Sequence, residues 1–431
     1  MSRMRSWGRT AFVAAVIVCL GGPAYGGQQP APPPDAAALQ ATIDQLRQQL
    51  DALALKVAAL EAAQATAATP AAPAPGQPAA PSVAEAPAAA PVATAEGAAV
   101  PVYGNPSASS KVFNPDMAVI GNFVGAAGHN SIEPLPALSL NEAEVSFQAV
   151  VDPYARADFF LAASPDGLEV EEGFLTFPTL PGGFLMKVGK LKAQFGKVNT
   201  MHAHVLPWAD EPMAMKNLLG GDEGLKDAGF SVSRLIPNSV MFLEATGEVY
   251  NGHNAVFTSH ERSDLTYVAR LRGYRDLTEG TNLDLGGSFA YGHNAARPDA
   301  TTQLFGVDAT IRYRPLRRAI YKRFLGRTEL FWSQRDTATP GDQADAFGAY
   351  VSGDYQFARR WFFGGRYDWS DRAEDPTRRD KGGSLLLTYW PSEFSQVRGQ
   401  FRHTRYAEGV DANEILIQFL FSIGAHGAHA F

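Results

Sequence analysis

Nine histidines are spread over 431 residues, but four of them form two compact groups, His202-Ala203-His204 and His426-Gly427-Ala428-His429. Two imidazoles at i and i+2 on extended backbone point the same way, and neutral imidazole ligates zinc or copper. A structural zinc site wants four ligands, so each pair alone is incomplete. The two groups would have to meet, with Asp210 or Glu211 completing the set; otherwise they are ordinary solvated loop residues. The second feature is guanidinium: Arg270, Arg272, Arg312, Arg314, Arg366, Arg398 and Arg402 share the water-facing parity of alternating segments. Opposite a partly acidic loop, such a wall sets up a transverse field that sorts ions; in the bland alternative it pairs with carboxylates and merely solvates a wide lumen. No Ser or Asp nucleophile stands near a His with an orienting partner, so no enzyme is expected. The single cysteine, Cys19, lies in the amino-terminal leader, which removes cysteine chemistry from the rest of the chain. No cofactor is required, and zinc is the ligand the histidines would admit.

The elements that must position these residues read with period two. Phe305, Val307, Ala309, Ile311 and Tyr313 alternate with Gly306, Asp308, Thr310, Arg312 and Arg314, one side fit for lipid and the other for water. Leu265, Tyr267, Ala269 and Leu271 repeat the division, as do Trp361, Phe363, Tyr367 and Trp369. Sixteen such strands can be counted after Phe113, with starts near Met117, Ser139, Phe184, Asp227, Ala319, Gly383 and Asn413 among them. Their connections alternate between tight turns, such as Pro237-Asn238-Ser239, and longer polar, Gly-rich loops. A soluble sandwich has no reason to sort its loops by end, whereas a transmembrane barrel does. The fold class is therefore all-β: a 16-stranded antiparallel transmembrane β-barrel, preceded by a short α-helical coiled coil and an Ala/Pro linker. No apolar run approaches the ~18 to 20 residues of a membrane-spanning helix.

The longest connection, residues 193 to 226, is the third on the long-loop side and carries Asp210, Glu211, Lys216, Asp222 and Glu223, with Lys197 and Lys226 at its ends. Length alone marks it as functional. It is the expected constriction loop.

Before the barrel, Arg3, Arg5 and Arg9 precede an apolar run, and Ala24-Tyr25-Gly26 supplies the small residues of a cleavage site, so residues 1–26 read as a secretory signal peptide. Removing three Arg and no acid takes the net charge from −7 to −10, a poor basis for binding nucleic acid. In residues 27–65, Leu39, Ile43, Leu46, Leu50, Leu53, Val57 and Leu60 form a heptad seam on a helix of about 33 Å. A naked apolar stripe needs a partner, so a homo-oligomer is expected, dimer by the a/d pattern or trimer by analogy. Residues 66–112 are largely Ala, Pro, Thr and Gly, an extended tether; residues 113–431 are the barrel.

Phe113-Asn114-Pro115-Asp116, Met201-His202-Ala203-His204 with Leu218-Leu219-Gly220-Gly221, Trp390-Pro391-Ser392-Glu393-Phe394-Ser395 and Phe421 to His429 resemble bacterial zinc-regulated outer-membrane proteins. That family is often labelled TonB-dependent receptor and is similar in architecture to phosphate-selective porins. The resemblance spans the barrel only. It implies metal contacts at His202, His204, His426 and His429, and a third loop folded into the lumen as in porins. A TonB-dependent receptor needs a plug and 22 strands, for which this chain lacks the residues.

The expected protein is an outer-membrane channel for passive diffusion of small hydrophilic solutes or ions, its amino-terminal segment in the periplasm. One alternative is a metal-binding surface protein taking part in zinc acquisition. Another is an envelope tether, the coil contacting peptidoglycan or an envelope protein. Outer-membrane lipid is a partner under all three.

Overall fold

The computed structural model describes residues 115–424 apart from residue 166. The signal peptide, coil, linker, His426 and His429 lie outside the described residues. Sixteen strands, from β1 (Asp116–His129) to β16 (Asp411–Gly424), pair antiparallel with their sequence neighbours. β1 then pairs with β16, Ala118 against Gly424 through His129 against Asn413, and the barrel closes. Closure leaves no strand edge, so every backbone group can be satisfied within the sheet in a medium that offers none.

The alternation is that of an inside-out protein. On β16, Ile417 is 56% exposed while its neighbour Gln418 is 1% exposed, and Ile415, Phe419 and Ile423 share the outward face. Inward positions carry Asn122, Glu144, Asp308, Glu329, Asp368 and Arg402, all buried. Outward aromatics gather at both ends of the strands. Trp361 and Tyr389 stack near the short turns, with ring centres 4.5 Å apart. Near the long loops Trp332, Phe347 and Trp369 form a ladder at 5.2 Å steps. Two such girdles bracketing an apolar band mark the two faces of a bilayer.

Strand starts fall within a few residues of expectation, with two instructive differences. β11 (Arg323–Asp336) begins after Ala319, because Arg318 takes a left-handed conformation at φ 66° and Tyr321 N–H bonds back to its carbonyl. The apolar Ala319-Ile320-Tyr321 therefore sits in a turn. β14 (Arg379–Ser392) begins before Gly383, since Arg379, Asp380 and Lys381 pair across to β13 (Trp361–Asp371) despite their loop-like composition.

Candidate functional site

The connection between β5 (Phe184–Lys192) and β6 (Lys226–Leu235) crosses the barrel interior. Its Phe195, Val198, Leu206, Trp208, Met215, Leu218 and Leu219 pack on inward Leu304, Phe331, Ala346, Tyr350 and Leu386 from the far wall. An apolar core thus sits inside a lumen whose wall carries many polar and charged side chains. The neck is closed by Asn199, whose amide donates to the Ala193 and Leu225 carbonyls at 2.8 and 3.1 Å and accepts from Leu225 N–H at 2.8 Å. Next to it, Glu329 of β11 accepts the backbone N–H groups of Lys197 and Val198 at 2.7 and 3.0 Å. Gly196 makes that approach feasible: its φ is +63°, and a Cβ there would lie 2.3 Å from the Glu329 carboxylate. The loop's short helix, α1 (Met213–Leu219), ends on Gly220 in the left-handed conformation. There a Cβ would meet that of Ala255 at 2.3 Å.

Asp210 is the loop's electrostatic anchor. Its carboxylate accepts from Arg366 of β13 at 3.0 Å, from Arg402 of β15 (Ser395–Arg405) at 2.9 Å and from Gln400 at 2.6 Å. Burial alone would raise its pKa, but the two guanidinium groups, Lys216 and the Gln400 amide outweigh it and hold the carboxyl well below the ordinary carboxylate range. Trp208 stacks under the Arg366 guanidinium at 4.8 Å and meets Tyr350 edge-on. Glu211 offers its backbone carbonyl to Arg366, Lys216 pairs with Glu133, and Glu223 pairs with Lys226, each of these two at 2.8 Å. Asp222 falls in the 3-10 turn Gly221–Glu223.

Six of the seven arginines of the wall fall on inward parity within strands and Arg314 just past the end of β10 (Thr301–Tyr313); most are matched. Arg270 pairs with Asp308, Arg272 with Asp284, Arg366 with Asp368 as well as Asp210, and Arg402 with Glu414 as well as Asp210. Arg398 bonds only the neutral Gln418 and Thr388 side chains.

His202 and His204 reach the opposite wall. Among the described residues Asp210 and Glu211 are bound on the arginine side, so they do not complete a histidine site, contrary to expectation. The carboxylates come instead from β2 (Leu138–Asp152) and β4 (Gly167–Leu180). His202 Nδ1–H donates to Glu144 at 2.7 Å and Glu171 at 3.0 Å, and its Nε2–H to Glu172 at 2.9 Å. Burial opposes the charge, yet these three carboxylates push the imidazole pKa up to about 11, so it is an imidazolium at neutral pH. His204 Nδ1 lies 3.4 Å from Glu144, and Lys192 pairs with Glu171 at 2.6 Å.

Donor atoms of Glu142, Glu144 and His204, and of Glu144, Glu171 and His202, converge within 4.8 Å. Two ligands on a tetrahedral zinc stand about 3.3 Å apart, so the Glu142, Glu144 and His204 set fits a divalent cation, whereas His202, donating from both ring nitrogens, is a counter-ion to its glutamates and not a ligand. One carboxylate oxygen of Glu142 is buried without a hydrogen-bond partner, which is the kind of atom a cation would satisfy.

These glutamates escaped the sequence reading for a specific reason. β3 (Ala155–Ser164) pairs Phe160 with Glu172 and Leu161 with Val170, which leaves Glu171 as the extra residue of a β-bulge. The bulge turns two successive carboxylates to the same side, where strict alternation would separate them. The Glu142-x-Glu144 spacing was visible, since i and i+2 share a face.

No protein-family model matches the chain. A protein of Aquifex aeolicus (strain VF5), described as uncharacterized, is 30% identical over 349 residues, 71% of this chain and 73% of its own. Among solved structures, a loop L8 deletion mutant of OmpT, an outer membrane protein of Vibrio cholerae, is similar at TM-score 0.50 and 12% identity, covering 72% of this chain and 99% of that one. OprB of Pseudomonas putida follows at TM-score 0.49 and 10% identity, covering 74% and 96%. At 12% identity the likeness to the OmpT variant is one of fold, and that fold is an outer-membrane barrel. By its identity over two thirds and more of both chains, this protein belongs to one family with the Aquifex aeolicus protein.

Proposed function

We propose that the protein is a porin-like channel of the outer membrane, passing small hydrophilic solutes or ions by diffusion. The observation that carries this reading is the β5–β6 connection, docked across the inside of an inside-out barrel with a polar, charged wall. A loop held there narrows the passage and sets the charges that a solute meets. The test is reconstitution in a planar bilayer with asymmetric salt. Discrete ohmic steps are expected; silence from correctly inserted barrels would refute the channel.

A second reading, capture of a divalent cation such as zinc, is favoured by the convergence of His204 with Glu142 and Glu144 beside the His202 anchor. It accords with the resemblance to zinc-regulated outer-membrane proteins. Under it, zinc raises the thermal midpoint of the purified protein, and His204→Ala abolishes that rise while leaving bilayer conductance in place. The amino-terminal heptads support a periplasmic coil that holds two or three copies together and reaches peptidoglycan or an envelope protein. Chemical cross-linking of the protein with and without residues 35–65 tests that assembly.

A further inference from the structure

Below the docked loop, at the end of the barrel where connections are short, a cavity of about 240 Å³ opens between the loop and the wall formed by β9 (Thr281–His293), β10 (Thr301–Tyr313), β11, β12 (Gln343–Ala358), β13, β14 and β15. Five guanidinium groups line it: Arg312, Arg314, Arg323, Arg327 and Arg398. Elsewhere on the wall arginines are matched by carboxylates, as Arg270 and Arg366 are; here three of the five, Arg314, Arg323 and Arg398, have no carboxylate in ion-pair contact among the described residues. Arg327 has Asp354 at 3.2 Å. Arg312 stands 3.7 Å from Asp284, a carboxylate already shared by Lys197 and Arg272. Arg323 donates to the Ala319 carbonyl, and Arg398, 3% exposed, bonds only neutral side chains. A buried guanidinium without a counter-charge carries a desolvation cost that a bound anion would offset.

Besides the arginines and polar Asn282, Asp354, Thr388 and Gln396, the lining has an apolar face. Leu206 and Pro207 of the loop face Leu325, Phe362 and Trp390 of the wall. A bare inorganic anion would leave those surfaces wet, whereas an anion with a flat apolar body would cover them while its head reaches the arginines. An apolar cavity of about 150 Å³ holds benzene, so this volume admits one ring with a carboxylate. We infer that the cavity is a binding site for one-ring aromatic carboxylates, held by the unmatched arginines with the ring against Trp390 and Phe362. The inference rests on the channel reading only for the solute's route; the binding itself is independent of conduction.

The probe is benzoate, titrated into the refolded full-length protein and followed by quenching of tryptophan fluorescence, with Trp390→Phe identifying the reporter. Acetate and benzylammonium are the comparison solutes. Saturable quenching by benzoate is expected, at least tenfold weaker for acetate and absent for benzylammonium. Arg314→Gln with Arg323→Gln, both near the turn between β10 and β11, should weaken benzoate at least tenfold in a barrel that keeps its folded circular dichroism. Equal response to benzylammonium, or undiminished benzoate binding in the double variant, would overturn the site. Binding of benzoate by a barrel silent in bilayers would support the site and sink the channel; conductance without benzoate binding would do the reverse.

Discussion

Replacing Asp210 with Asn keeps the shape of the loop anchor and removes its charge. The carboxylate serves Arg366 and Gln400 through Oδ1 and Arg402 through Oδ2. An amide can present its oxygen to one side only, and its NH2 then faces a guanidinium, donor against donor. Stripping one partner from a buried pair costs about 3 to 5 kcal/mol. Here both arginines retain a second carboxylate, Asp368 at 2.7 Å for Arg366 and Glu414 for Arg402. The cost of docking therefore falls to the value of one or two charged hydrogen bonds, about 2 to 3 kcal/mol, or roughly 30- to 150-fold in the ratio of docked to released loop. Limited proteolysis within residues 193–225 reads that ratio without reference to conduction, and bilayer current noise reads it through the pore. The sign with pH follows from the depressed carboxyl pKa: its contribution is complete above the ordinary carboxylate range and is lost only as pH falls through the lower folded value. The difference in protection between wild type and Asp210→Asn should thus persist at pH 4 and close only in stronger acid. Equal protection of both proteins at neutral pH would refute the anchoring argument.

Gly196→Ala forces a side chain into the left-handed region and against the Glu329 carboxylate, so the loop neck should weaken by about 1 to 3 kcal/mol. Protease sensitivity near residue 196 checks it. Asn199→Ala removes three hydrogen bonds to buried backbone groups and should cost about 2 to 4 kcal/mol, seen as faster exchange of the Leu225 amide. Ile417→Lys places a charge on the outward face of β16 and should destabilise the folded barrel by about 2 to 4 kcal/mol in lipid-bilayer unfolding experiments, far more than in detergent.

The barrel was legible because its signal is spread over many residues: each strand repeats the same alternation, and a boundary error of a few residues does not change the count. The third long connection was equally visible, being long whatever its structure. Its anchoring was not. Nothing local marks Asp210, rather than Asp222 or Glu223, as the residue that meets two arginines far along the chain. Glu329 presents as one more water-facing carboxylate until Gly196 is seen to bring backbone N–H groups against it. The Glu171 bulge inverts the parity on which every assignment of facing depends, and a bulge has no sequence signature without the partner strand. The two readings of the arginine wall, a field across the lumen or guanidinium groups paired with carboxylates, stayed open for a related reason. Counting guanidinium groups by parity cannot tell Arg270, neutralised by Asp308, from Arg398, which has only neutral partners.

The charges also explain why the loop lies across the lumen in one sense. Its first half carries His202, an imidazolium set among Glu144, Glu171 and Glu172 on one wall; its second half carries Asp210, an anion set between Arg366 and Arg402 on the other. Apolar contacts at Trp208 and Leu218 favour burial but accept many registers, since packing is insensitive to direction. Two ion clusters of opposite sign do not, because exchanging their places would set cation against cation and carboxylate against carboxylate in a poorly solvated interior. The apolar residues therefore hold the loop inside while the paired charges decide which part meets which wall. That division leaves the arginines without carboxylate partners below the loop and the glutamate cluster, filled by His202 and Lys192, beside it.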